Sequence, residues 1–261
     1  MRNILCVTLI ALLGGCTSTS VTEKYQDKRN DIINVKDKVI EFETGNVLIG
    51  SVSRLYMSNK CLLIADHKSV DKQIHIFNKN DFSYLTSIGN FGEGPEEITV
   101  MGCLAIDEAH HQLYVSDHAK QKIFSYDMDS VMVDSLYKPQ VKTAMNETLF
   151  PSEYQYINDT LSIAVLIKPT STSTFNQFLG RWNMNTGEMI PMKYTHPDIQ
   201  KKRITFAASE KAGIYVECYT RHDLMTICSL DGELLYNIYG PDWDGGNGNK
   251  LQSFGTVMIG K

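Results

Sequence analysis

The sequence predicts an all-β fold, a β-propeller of four-stranded antiparallel blades. Three observations carry the prediction. Four short apolar runs, at residues 62–65, 113–116, 161–164 and 213–216, start 51, 48 and 52 residues apart. Each follows another strand-like run and a short turn, and each precedes a hairpin whose tip is rich in Asn, Asp and Gly. Such residues tolerate or supply positive φ in tight turns, and four strands repeating at about fifty residues is the pattern of a propeller blade. No long segment places apolar residues at helical spacing, which excludes a mainly helical chain. A β-sandwich would also give many short strands, but not this period.

From the N-terminus, residues 1–16 read MRNILCVTLIALLGGC, with a basic start at Arg2, a short apolar centre and small residues before a cysteine. That is the form of a secretory signal peptide. Its uncharged run, residues 4–13, is about half of the ~20 residues that span a bilayer. The string Leu13-Gly14-Gly15-Cys16 resembles the bacterial lipobox. The resemblance implies a signal peptide at 1–15 and a mature chain lipidated on Cys16. Because Thr17, not Asp, follows, it also implies the outer membrane. Residues 16–37 are expected to be a polar tether, since TSTSVTEKYQDKRN has little periodicity. The propeller is expected over 38–261.

Within it, blades are expected at about 50–98, 100–140, 151–195 and 203–245, with a partial fifth unit at 250–261. The hairpins read IHIF-NKND-FSYLTSI, IFSY-DMDS-VMVDSL, QFLGRW-NMNTGE-MIPM and MTICSL-DG-ELLYNIY. Residues 88–98, IGNFGEGPEEI, close the first unit, and residues 238–243, IYGPDW, close the fourth. Glycine admits positive φ at such reversals, and proline presets φ while giving up an N–H. Both stretches resemble the between-blade segments of six-bladed TolB/NHL-like β-propeller lipoproteins of gut-type Gram-negative bacteria. Asp66-His67 and Asp117-His118 match that family's Asp after the second strand, whereas Leu166 and Cys218 lie there in units three and four. The resemblance implies six blades where residues 46–261 hold about four. A C-terminally truncated chain is therefore expected, the alternative being a ring closed by a strand at 38–42.

Function is less legible. A chain of 261 residues with 43% hydrophobic and 21% charged residues folds, and Lys+Arg 25 against Asp+Glu 30, net -5, argues against nucleic-acid binding. Cys218 and Cys228 lie in consecutive strands, but the register about Arg221 and His222 sets Cys218 opposite Met225 and Cys228 opposite Tyr215. They are therefore expected to miss each other, and with Cys61 and Cys103 to be buried small hydrophobes. His110-His111 reads as a solvated turn. His67 and His118 occupy equivalent places in adjacent units, either as loop caps or as a pair able to hold a metal or an anion. Residues 242–249, DWDGGNGN, fail as an EF-hand loop: Gly246, Asn247 and Ser253 stand where a ligand, the glycine and the glutamate belong. No catalytic, cofactor-binding or metal-ligating residue is assigned, and no cofactor; Cys16 is the one site, for lipid. The reading is a lipid-anchored, non-enzymatic binding or scaffold protein. Its partners are the membrane, through the lipid, and a protein, peptide or glycan. The alternatives are a calcium-dependent enzyme resembling the lactonase and strictosidine-synthase propellers, and a non-functional fragment.

Overall fold

The computed structural model describes residues 21–29, 33–134, 136–199 and 203–249. Cys16, the signal segment and the unit expected at 250–261 lie outside these residues. Among the described residues, four consecutive antiparallel sheets follow one another along the chain. Blade 1 holds β2 (Ser53–Met57), β3 (Cys61–Asp66), β4 (Lys72–Asn78) and β5 (Tyr84–Asn90). Blade 2 holds β6 (Met101–Asp107), β7 (Gln112–Asp117), β8 (Lys122–Asp127) and β9 (Gln140–Ala144), with helix α1 (Met128–Val133) inserted before β9. Blade 3 holds β10 (Phe150–Asn158), β11 (Leu161–Pro169), β12 (Phe175–Trp182) and β13 (Met189–Pro191). Blade 4 holds β14 (Ile204–Ser209), β15 (Ile214–Tyr219), β16 (Leu224–Ser229) and β17 (Leu234–Tyr239). A fifth strand, β1 (Glu23–Tyr25), pairs in parallel with β17.

The apolar runs that set the period are the second strands, and their near-continuous hydrophobicity has a packing reason. Successive side chains point to opposite faces, and a strand between two blades buries both. Leu113 and Val115 of β7 pack toward blade 1 with Leu63, Ala65, Ile74 and Ile76. Their neighbour Tyr114 packs the other way, with Tyr154, Tyr156 and Trp182 of blade 3. A third cluster joins Ile163, Val165 and Leu179 of blade 3 to Tyr215, Tyr219 and Leu224 of blade 4. The far face of blade 1 is covered as well: Leu62, Ile64 and Phe77 take Val47 and Ile49 against them, and Phe42 stacks on Phe82 at 4.5 Å.

Three expectations need correction. The DMDS segment is not a hairpin tip. Asp127 caps α1 by accepting from the Ser130 amide at 2.7 Å, Val131 inserts into the core, and the fourth strand comes later, at Gln140–Ala144. The polar segment expected as a tether between lipid and domain contributes β1 at Glu23–Tyr25. The strand that joins the last described sheet is therefore Glu23–Tyr25; of the 38–42 segment, only Lys38 is in a regular element, the 3₁₀ turn Lys36–Lys38. The cysteine register is as expected, with Tyr215 opposite Cys228 and Cys218 opposite Met225. Cys61, Cys103, Cys218 and Cys228 are free and buried.

Candidate functional site

Antiparallel strands put the start of each first strand, the turn between the second and third strands, and the crossover between blades at one end of the blades. Asp66-His67 and Asp117-His118 sit there, and the structure gives both residues of each pair a role. Asp117, fully buried, accepts from four backbone amides: Thr99 at 2.8 Å, Val100 at 3.2 Å, Ala119 at 3.0 Å and Lys120 at 3.2 Å. Two belong to the segment entering β6 and two to its own turn, so one carboxylate fixes both. Asp66 repeats this in blade 1, accepting from Gly50 at 2.7 Å and Lys68 at 2.9 Å. Burial works to raise its pKa, but those amides outweigh it and hold the Asp66 carboxyl below the ordinary carboxylate range.

Each histidine reaches the next blade. His67 Nδ1 donates to the Met101 carbonyl of β6 at 3.2 Å, and the His118 ring packs edge-on against Phe150 of β10, with centroids 5.7 Å apart. Gly102 packs directly on the His118 ring, so close that a Cβ there would lie 2.6 Å from Nε2. The equivalence read from the sequence therefore has a structural content: Asp closes its own blade and His latches the following one. Burial is the main influence on both imidazoles and depresses their pKa below the ordinary 6.5. Among the described residues, no group of three His, Cys, Asp or Glu side chains could hold a metal ion.

The glycine-rich crossover is closed by a lysine that sequence reading did not single out. Lys120 Nζ donates to the carbonyls of Gly94 at 2.6 Å and Glu97 at 2.5 Å, and reaches that of Gly92 at 3.4 Å. Glu97 folds back to accept from the Gly94 amide at 2.8 Å. Gly92 is required by this close approach, since a Cβ there would lie 2.0 Å from Glu97 Oε2. Blade 4 solves the same problem differently. Asp223, in the turn before β16, accepts from the Asp242 amide at 2.9 Å and pairs with Arg29, just beyond β1. Glu23 Oε2 accepts from Tyr239 Oη at 2.5 Å, and Tyr25 stacks on Tyr239 at 4.6 Å.

Other singled-out residues are also engaged locally. Asp244 accepts from the Gly248 and Asn249 amides and so closes the 244–249 loop itself. His110 pairs with Asp107 at 2.7 Å and His111 with Asp129 at 2.8 Å, so the expected solvated turn is held by two carboxylates. Between inner strands, Gln155 exchanges two hydrogen bonds with Ala208, at 2.7 and 2.8 Å, and Arg54 pairs with Glu153 at 2.7 Å.

The DUF5128 family model, described as a 6-bladed beta-propeller, matches residues 17–216. The fold is similar to that of a Bacteroides fragilis protein described as exported, with TM-score 0.53 and 15% identity over 84% of this chain and 60% of that one. It is also similar to a duf4221 family member from Bacteroides vulgatus, with TM-score 0.49 and 11% identity over 70% of this chain and 56% of that one. The chain thus spans less than two thirds of the length of either. No protein of curated function matches it in sequence. Four consecutive four-stranded blades, under a family match that covers most of the chain, make this protein a member of the DUF5128 family of 6-bladed beta-propellers.

Proposed function

We propose that this protein is a lipid-anchored propeller of the cell envelope, of the TolB/NHL-like lipoprotein kind, that binds a protein, peptide or glycan without catalysing a reaction on it. The observation that carries the reading is the engagement of Asp66, Asp117 and His67 with backbone and of His118 with the Phe150 ring. These four side chains hold crossovers and neighbouring blades in place. A rigid scaffold presenting loops is the arrangement that suits recognition.

Two observations support the address. The family match begins at residue 17, immediately after Cys16, in keeping with a mature chain that starts at that cysteine. The similar Bacteroides fragilis protein is described as exported. Two acyl chains on Cys16 anchor the chain durably, at ~0.8 kcal/mol per buried methylene. Residues 17–22 are all that separate Cys16 from β1, which is docked on β17. At most about 25 Å of extended chain then lies between lipid and blade 4, whose outer edge stays close to the bilayer.

Mass spectrometry of the envelope-extracted protein tests the anchor. A diacylglyceryl thioether on an N-terminal Cys16 is expected, and an unmodified Cys16 overturns it. Peptide and glycan arrays probed with the mature chain, alongside lactone hydrolysis assays with millimolar calcium, test the activity. Saturable binding without turnover is expected; calcium-dependent turnover would overturn the non-enzymatic reading.

A further inference from the structure

At the opposite end of the blades, between blades 1 and 2, lies a cleft of about 490 Å³. It is independent of the anchor and of the crossover end. Its position follows from α1. Where a hairpin tip would lie close to its own sheet, this helix rests on the sheet through buried Val131, and Met128 and Met132 line the cleft. The helix is fixed at both ends. Asp127 caps its start, and the Asp134 amide donates to the Ser130 carbonyl at 2.9 Å at its end. The Tyr137 hydroxyl additionally accepts from the Asp127 amide at 3.1 Å. The cleft is therefore preformed.

Its lining has two chemistries. Leu85 of β5, Ile106 of β6, Met128 and Met132 give an apolar wall, and Leu85 and Met132 remain 43% and 36% exposed. Methionine adapts to irregular apolar shapes at little cost. Asp107, Glu108 and Asp129 contribute three carboxylates against one lysine, Lys60, and the His111 imidazole. Their positions are set by neighbours: Asp107 accepts from the Ala109 and His110 amides, Glu108 from the Asn59 amide at 2.6 Å, and Asp129 from His111. Glu108 and Asp129 keep further lone pairs for a donor in the cleft, whereas the Asp107 oxygens are taken up by Ala109, His110 and Tyr114, so that Asp107 contributes charge alone.

We propose that this inter-blade cleft binds a small amphipathic cation. Its apolar body lies against the methionines and Leu85, and its positive group meets the Glu108 and Asp129 carboxylates. The volume falls within the range of sites for drug-sized ligands, about 300–1,000 Å³. The excess of carboxylates selects cation over anion by Coulomb attraction.

Fluorescence anisotropy with rhodamine 6G, a hydrophobic cation, tests the proposal, with the hydrophobic anion ANS as the charge-reversed probe. Rhodamine 6G is expected to saturate one site per chain and to bind at least about tenfold more tightly than ANS. Met132→Trp, which fills the cleft, and Leu85→Arg, which adds a cation at its wall, should each weaken rhodamine 6G binding by about tenfold or more, with an unchanged thermal transition. Asp129→Asn should weaken it less while leaving ANS unaffected. Absence of saturable rhodamine 6G binding, equal binding of ANS, or binding that survives both Met132→Trp and Leu85→Arg would overturn it.

Discussion

The two ends of the pair formed by blades 1 and 2 are built on opposite rules. At the crossover end, Asp117 and Lys120 point at backbone of segments outside the strands, and His67 reaches the first residue of β6. At the other end, the acids pair with turns at the rim, and the space between the blades is left to methionine and leucine. The difference teaches where polarity is structural in this fold. A between-blade crossover has amides and carbonyls that no neighbouring strand satisfies, and a buried unpaired backbone group is costly. Side chains supply the partners there, whereas hairpin tips satisfy themselves and free the cleft for other uses.

If that contrast is right, substitutions should have unequal effects on stability. The largest belongs to Asp117→Ala, which leaves four amides without their acceptor and should cost about 3 kcal/mol or more in denaturant unfolding. Lys120→Met follows, at about 2 kcal/mol, since it keeps the aliphatic stem but orphans the crossover carbonyls. Arg29→Ala should cost about 1–2 kcal/mol by leaving the buried Asp223 carboxylate without its cation, with β1 losing hydrogen-exchange protection first. At the cleft end, Met132→Ala should stay within about 0.5 kcal/mol. An equal cost at both ends would dissolve the distinction.

Acid should act on the crossover end in two stages. His67 and His118 have folded-state pKa values depressed by burial below 6.5, so the unfolded chain takes up protons that the folded chain resists. Their contribution is whole above pH 6.5 and falls as pH drops below it. His75 and His222, also depressed by burial, add to the same slope. Asp66, whose folded pKa is lowered, contributes fully above its ordinary 3.8 and is lost as pH falls below that, through its folded value. Melting temperature measured from pH 7.5 downward should decline below about 6.5, and replacing His67 and His118 with Gln should flatten that first decline.

The sequence carried the blade period because burial on both faces forces apolar runs, and it carried the cysteine register because a turn's position fixes strand pairing. The Asp-His repeat was visible as spacing, but its meaning was not, since the Met101 carbonyl and the Phe150 ring belong to other blades. The role of Asp223 was hidden because it stands before a third strand instead of after a second. Helix α1 was read as a hairpin because six residues are too short for helical periodicity; its signal was the Asp127 cap three residues before Ser130. Strand β1 is polar and three residues long, held by partners such as Tyr239 that lie more than two hundred residues away. The cleft was illegible for the same reason as α1, which lines it.

Amide hydrogen exchange at Thr99 and Val100 tests the central claim most directly. Neither amide belongs to a strand, and both donate to Asp117. The account predicts slow exchange at both in the native protein, and fast exchange at both in Asp117→Ala under conditions where β7 stays protected. Exchange that is already fast in the native protein, or that is unchanged by Asp117→Ala, would contradict it.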